Sequence, residues 1–588
     1  SYAIDIFAID GHPCLAMAWQ KDDVRVWSDI DVITDVMQTL FQWEQEYHIE
    51  PVCCSLKNAA KNMPFLLPFT SCFDVEIVGL VQNRVSGNEP PFEMLFEHST
   101  KIPFPFLPDY EEKTEKKTKT QMSLEDLMGG ADSSPEEAEG ENWTLSLDEQ
   151  AYHDQIVRRA YRVLFMRMIH DVQVKDIEAN HQEKLIYEIE MPLVLELYRM
   201  ERRGVYVDEE MLDSLHTTFD EKIHDLEQEI YLAAGEVFSI LSPKQLSRIL
   251  FEKLGLPSGR KNHGGSYSTD SDELDRLSTM HPIVPLILQY RQYAKLDSTF
   301  VMGLKKNISP IDGRIHTTYS QAMTNTGRLS SSEPNLQNIP IRSDLGGTIR
   351  KAFVAPEGYV LLDADYSQIE LRLLAAISGD SDMIQGFQDG EDIHSMTAMK
   401  IFGLPKEMID ASMRAAAKRI NFSIVYGVSD FGLSQDLGIS IPEAHRYIEQ
   451  YYAKYPAISP CLKGFIESGK KNGYVDTMFG RRRILHELSS ANRNIRNFGE
   501  RAAMNTPIQG TAADIIKLAM VRASRSFQAA EIDAKLILQV HDELIVEVSE
   551  KDAATAAILL EDAMENAVDL AVKLPAEVHQ AKSWFEAH

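Results

Sequence analysis

The sequence is short of cysteine, of positive charge and of long apolar runs, and each shortage excludes a class of protein. Its five cysteines, Cys14, Cys53, Cys54, Cys72 and Cys461, form neither a disulfide framework nor paired zinc-ligand spacings, so a disulfide-stapled scaffold is excluded and a reducing cytoplasmic setting is expected. No stretch approaches the roughly 18 uninterrupted apolar residues of a membrane span, and the start SYAIDIFAIDGHP has no basic leader, so no membrane partner is expected. Ser1 in place of Met leads to the expectation of processing or of further sequence upstream. Lys and Arg total 59 against 89 Asp and Glu, a formal charge of -30, which excludes a uniformly basic nucleic-acid surface but not a local basic cleft. No internal repeat is present, which argues against a solenoid or propeller. What remains is 588 residues, 44% of them hydrophobic, enough for cores in about four structural units.

The first part of the chain reads as α/β, with β-like runs SYAIDIFAI and CLAMAW and the apolar run FDVEIVGLV. Residues 111–142 change to Glu, Lys, Thr, Ser and Gly, which cannot fill a core and suggest a flexible insertion. Leu212, Leu215, Phe219, Ile223, Leu226 and Ile230 recur at helical spacing between the candidate cap Asp208 and the stop Gly235, and SPKQLSRILFEKLGLP follows as a second helix candidate. Such a pair is expected to pack internally. Beyond it, strand and helix signals alternate, most clearly in GYVLLDAD before SQIELRLLAA and in the strand pair KLILQV and ELIVEV.

Two acidic positions stand at strand ends. Asp365 lies where the run Val360 to Leu362 gives way to the helix carrying Glu370, and Asp542 lies with His541 in the narrow connection between KLILQV and ELIVEV. Either alone reads as a helix cap or a turn residue, with Glu543 solvated. Together on one sheet they would present hard oxygen ligands suited to a pair of divalent ions. In RAAAKRINFSIVYG, Arg414, Lys418, Phe422 and Tyr426 recur every four residues, offering cations to a triphosphate and rings to a base; the plain alternative is an ordinary helix. From Lys470 to Arg501, eight Lys and Arg residues face three acids, a basic patch that the total charge conceals.

In order along the chain, TNTGRLSSSEPNLQNIPIR, DADYSQIELR, RAAAKRINFSIVYG, NTPIQGTAADIIK and QVHDELIVE resemble the motifs of family A DNA polymerases of the bacterial polymerase I large-fragment type. The resemblance implies a mixed α/β, multidomain right hand: an exonuclease-like α/β domain over 1–175, then a polymerase domain over 176–588. Within the latter it implies a thumb at 205–300, fingers at 375–500, and a palm from 301–374 and 501–588. It implies primer-template DNA and deoxynucleoside triphosphates as partners, two Mg²⁺ ions with Mn²⁺ as a substitute, a monomer, and a bacterial nucleoid-associated location. Asp365 and Asp542 would be the catalytic metal ligands. Lys418 would protonate the leaving pyrophosphate. Arg414, Lys418, His394, Phe422, Tyr426, Glu370 and Gln368 would bind the nucleotide, with Glu370 disfavouring a ribose 2′-hydroxyl. Arg328, Asn335, Gln337, Arg342, Arg501, Asn505, Gln509 and His541 would contact primer or template.

The chain departs from the family at Ser423, where glycine is usual. It departs again in the first 175 residues. An active exonuclease needs an Asp-x-Glu strand, but Asp5 is followed by Ile6 and Phe7; Asn58 stands near where an acid is expected, and QIVRRAYRVLF has no Tyr-x-x-x-Asp arrangement. A degenerate exonuclease-like domain without proofreading is expected, with Asp10 and Asp74 as the residual acids. A metal nuclease and a catalytically silent DNA-binding scaffold are the competing classes; the cationic helix favours synthesis.

Overall fold

The computed structural model describes residues 2–9, 12–19, 23–61, 63–87, 90–104, 147–257, 259, 267–340 and 344–588. The expected flexible segment 111–142 lies outside them. Five strands open the fold in the spatial order Val24–Trp27, His12–Ala18, Tyr2–Ile9, Pro51–Cys53, Phe73–Asp74, antiparallel for the first three and parallel for the rest. Tyr2–Ile9 reads as nearly continuous apolar sequence because both faces are covered: Ile4 and Ile6 enter one core, Ala3 and Phe7 the other. The helix Ile30–Tyr47 packs on the first face and the helix Leu147–Asn180 runs along the second. The run Phe73–Val81 divides at Asp74, whose side chain accepts from the Glu76 and Ile77 amides and starts the helix Val75–Val81.

The amphipathic pattern after Asp208 forms the helix Glu209–Ala234, with Asp208 accepting from the Met211 amide and Gly235 ending it at φ 70°. Its inner half packs through Leu212 and Phe219 into a core that also holds Phe353 and Trp584; its outer half joins a separate cluster with the helix Ile283–Lys295. The second helix candidate begins as Pro243–Ser247 and continues as a π-helical turn, Arg248–Lys253. No helix among the described residues is long and apolar enough to cross a membrane.

A four-stranded antiparallel sheet, ordered Ala534–Val540, Glu543–Ser549, Tyr359–Tyr366, Ala576–Ala581, forms the floor of the main cleft. Val360, Leu362, Ala364 and Tyr366 point into the large core, which also takes in the long helix Arg493–Ala529; Leu361 and Ile545 point the other way, toward Trp584 and Phe353. The simple alternation of Leu536, Leu538 and Val540 does not hold. The register shifts between Leu536 and Leu538, so Leu536 joins the large core while Ile537, Leu538 and Val540 all join the opposite one. Above the sheet stand the helices Ile369–Ser378, Ile393–Phe402, Ala411–Val425, Ile441–Lys454 and Ile458–Asn472.

The basic stretch from Lys470 to Arg501 is not one surface patch. Arg481 is 6% exposed and pairs with Glu190 and with Asp514, 2.6 Å away, while Lys517 reaches Glu190 at 2.7 Å. Arg482 pairs with Asp476 and Lys470 with Glu500. Sequence counting misses this because Arg481 and Glu190 are 291 positions apart.

Candidate active site

The strand Tyr359–Tyr366 and the hairpin connection bring Asp365 and Asp542 to one place. Asp365 lies opposite Glu543 in the antiparallel register, and the Tyr366 amide donates to the Asp542 carbonyl at 3.2 Å. His541 adopts φ 55°, the left-handed conformation that lets a two-residue connection close between the strands. A cavity of about 1050 Å³ opens over this point. Asp365, Gln368, Glu370, His541 and Asp542 line it on the sheet side with Arg328, and His394, Arg414, Lys418, Phe422, Ser423 and Tyr426 line it from the helices.

The carboxylates are held in a state that favours cations. Burial first, then the charges of Asp542 and Glu543, push Asp365 up to about 8, and burial also raises Asp542. Two partly desolvated carboxylates that repel each other and face an open cavity fit hard divalent cations by their donor chemistry. The described residues hold one further group with metal-ligand spacing, Asp363, Glu543 and His588, whose ligand atoms lie within 4.8 Å of one another. Asp363 is on the same strand face as Asp365, is 2% exposed, and is pushed up to about 7, first by burial. Glu543 is not solvated: it is 3% exposed and accepts from Trp584 Nε1 at 2.5 Å. His588, 3.4 Å from Asp363 and 3.6 Å from Glu543, is pushed up to about 10 by those two carboxylates, so its imidazolium balances their charge.

Opposite the carboxylates, Arg414 and Lys418 sit one helical turn apart on Ala411–Val425. Lys418 is exposed and has no ion pair or hydrogen bond among the described residues. Arg414 is already engaged, with Nε 2.5 Å and Nη2 3.1 Å from the two oxygens of Asp392. Burial works to raise Asp392, but hydrogen bonds from Arg414 and Ser395 hold it at about 2. His394 is 2% exposed and lowered to about 4, first by burial, with Arg414 and Lys418 opposing its protonation against the pull of Asp392. Asn421 Nδ2 lies 2.8 Å from His394 Nδ1, so an amide donor there leaves the proton on Nε2. Phe422 packs beside this imidazole at 5.9 Å between ring centroids.

Glu370 is fixed from two sides. Arg328 Nη2 donates to one of its oxygens at 2.7 Å and Tyr426 Oη to the other at 3.0 Å. Tyr426 follows the last residue of the helix and so leaves the regular stripe begun by Arg414. Gln368, at φ 56°, has a buried side-chain oxygen without a hydrogen-bond partner among the described residues. Of the remaining sequence candidates, Gln509 hydrogen-bonds Tyr426, Asn505 has a buried side-chain oxygen with no hydrogen-bond partner among the described residues, and Arg501 is exposed. Asn335 lines a second cavity of about 550 Å³ with Lys295 and Thr299. Gln337 is 9% exposed and donates to the Gln539 carbonyl at 3.1 Å, within the protein. Arg342 lies outside the described residues. Asp392, Asn421, Asp363 and His588 were not legible in sequence, since capping aspartates and lone polar residues carry no spacing signal; EDIH could have suggested Asp392 as a cap.

In the first domain Asp5 is 3% exposed, and Arg159 Nη1 lies 3.1 Å and Arg162 Nε 3.7 Å from its Oδ2. Guanidinium groups stand against the carboxylate where a metal-using nuclease would hold cations. Asp74 is 1% exposed and accepts from the backbone amides of Ser55, Leu56 and Glu76 at 2.9 to 3.1 Å. Asn58 hydrogen-bonds Ser55 Oγ at 3.3 Å, and Asp10 lies outside the described residues.

The sheet with paired strand-end carboxylates, the cationic helix across the cleft and the helical arm define a palm, fingers and thumb architecture preceded by an α/β domain of exonuclease-like type. The model of DNA polymerase family A matches residues 209–586, and the chain belongs to that family. It is 46% identical over 429 residues to DNA polymerase I of Caldicellulosiruptor bescii, covering 73% of this chain and 50% of that protein. It is 45% identical over 441 residues to DNA polymerase I of Geobacillus stearothermophilus, covering 75% and 50%. The chain thus spans about half the length of the curated relatives it matches. Among solved structures it is similar to the POL domain of Pol1 from M. smegmatis in complex with DNA primer-template and dNTP, with a TM-score of 0.82, 32% identity, and coverage of 100% of this chain and 95% of that one.

Proposed function

We propose that the protein carries out template-directed DNA synthesis, joining a deoxynucleoside monophosphate to a primer 3′-hydroxyl with release of pyrophosphate. The observation that carries this reading is a single cavity with Asp365 and Asp542 on one wall and Arg414, Lys418 and His394 on the other. Asp365 and Asp542 would hold two Mg²⁺, or Mn²⁺ in their place. When bound, such ions lower the pKa of the attacking hydroxyl and neutralise charge on the leaving group. The chain's own groups do the rest. Arg414 exchanges its Asp392 partner for phosphate oxygens, neutral His394 donates from Nε2, and Lys418 delivers a proton to the departing pyrophosphate. Glu370, held by Arg328 and Tyr426, closes the space a 2′-hydroxyl would need. Arg328, His541, Gln509, Asn505, Arg501, Asn335, Gln337 and Arg342 belong to the DNA path in this reading. The protein acts as a monomer in the bacterial cytoplasm, at the nucleoid.

Proofreading is absent in the same proposal, because Asp5 is occupied by arginines and Asp74 by backbone amides. Primer extension with Mg²⁺ and all four deoxynucleotides tests both parts. Extension is expected from the parent protein and not from Asp365→Ala or Asp542→Ala, with no shortening of the primer when nucleotides are omitted. Binding of primer-template without extension would reject synthesis, and shortening that survives both substitutions would reject the inactive exonuclease.

A further inference from the structure

The first domain holds a cavity unrelated to either carboxylate centre. It measures about 310 Å³ and lies between the edge strand Val24–Trp27 and the helix Ile30–Tyr47. Trp19, Trp27 and Trp43, three of the five tryptophans in the chain, line it together. The cavity opens beside the core containing Ile4, Ile6, Met17 and Leu40, and Asp5 alternates with Ile4 and Ile6, so the cavity is on the opposite sheet face from Asp5.

Its chemistry is specific. Trp19 and Trp43 stand 4.6 Å apart between centroids and are inclined by 48°, so their rings form adjoining walls of a corner in place of a filled stack. Trp19 is 36% exposed, a large apolar surface left open at the mouth. Asp23 and Asp35 also line the cavity; Asp23 has Arg25 at 3.6 Å, while the Asp35 carboxylate has no hydrogen bond or ion pair among the described residues. Among the described lining residues, two carboxylates against one guanidinium leave a net negative charge. That charge opposes phosphate, and therefore nucleic acid, while indole faces attract a cation that is weakly hydrated enough to lose its water. A small metal ion would find only two carboxylates and no reason for the indoles.

We propose that this pocket binds a small organic cation with an alkylated ammonium group, the ammonium against Trp19, Trp27 and Trp43 and its charge balanced by Asp35. The cavity is at the small end of ligand sites, which suits a compact molecule. Nothing in this binding depends on the polymerase reading.

Tryptophan fluorescence of the full chain, titrated with tetramethylammonium chloride at constant ionic strength, tests it. Saturable quenching in the millimolar range is expected for a probe with so few heavy atoms. tert-Butyl alcohol, which has the same tetrahedral arrangement of heavy atoms but is neutral, should bind at least about tenfold more weakly. Asp35→Asn, at an exposed position, should weaken tetramethylammonium about three- to tenfold and leave primer extension and thermal stability unchanged. Trp43→Leu should abolish the saturable signal while extension persists. Equal binding of the neutral probe, or displacement by a short single-stranded oligothymidylate, would overturn the cation assignment. So would quenching that rises linearly without saturation, or a parent-like response in both variants.

Discussion

Asp365 carries its charge where burial, Asp542 and Glu543 all oppose it, so function and stability pull apart at this residue. If Asp365 holds a divalent ion as proposed, Asp365→Asn removes an anchoring oxygen and is expected to lower nucleotide incorporation by about three orders of magnitude or more. Without divalent ions the same variant should be as stable as the parent or more so, by on the order of 1 kcal/mol after allowing for its partial exposure. Thermal melts in EDTA check the second half, and a clear loss of stability there would contradict the repulsion. His394 gives a pH dependence of definite sign. Its imidazole is depressed to about 4, so the proton binds more readily in the unfolded chain. The stability it contributes is fully present above about 6.5 and is lost as pH falls toward the depressed value. The melting temperature of His394→Gln should therefore fall less between pH 7 and pH 5 than that of the parent. Both residues could be singled out from local motifs. Their settings could not, because Asn421 and Glu543 are brought to them by tertiary packing, and Asp392, although it caps the helix that carries His394, gives no local sign of its pairing with Arg414.

At the scale of elements, one buried ion cluster ties distant segments together. Glu190, at the end of a π-helical turn, meets Arg481 from the turn before a short strand and Lys517 from the long helix. Burial raises Glu190, yet Lys517 and Arg481 bring it down to about 2. Arg481→Met leaves Glu190 and Asp514 short of a partner in a dry site, so urea unfolding should show a loss of about 3–5 kcal/mol. In the sequence Arg481 belongs to a basic run, and nothing local distinguishes it from exposed Arg501. The elements themselves were more legible. Caps and helical periodicity define Glu209–Ala234, and a two-residue connection defines the hairpin, whereas the register shift after Leu536 leaves no local signature. Ser423 belongs to this scale too, since it lies within the helix Ala411–Val425 and lines the cleft. Ser423→Gly should change stability by less than about 1 kcal/mol but alter discrimination against mismatched or modified nucleotides. Identical incorporation kinetics across those substrates would remove any role for its hydroxyl.

For the whole molecule, the -30 charge and a DNA path can coexist only if the cations that face phosphate are few and unpaired. The structure sorts them. Arg482 is held by Asp476 at 3.0 Å, whereas Arg501 is exposed and has no ion pair among the described residues. A cation already neutralised by a carboxylate releases no counterion from DNA when it binds; a free one does. Arg501→Ala should therefore weaken primer-template binding similarly for all sequences and reduce the slope of log affinity against log salt by about 0.9. Arg482→Ala should leave that slope unchanged, although it loses the Asp476 pair and packing over Tyr474 at 3.6 Å. Fluorescence anisotropy over a salt series separates the two variants. Equal slopes would mean that phosphate contact does not follow free charge, and that the acidic surface is screened by some other arrangement of cations in the bound state.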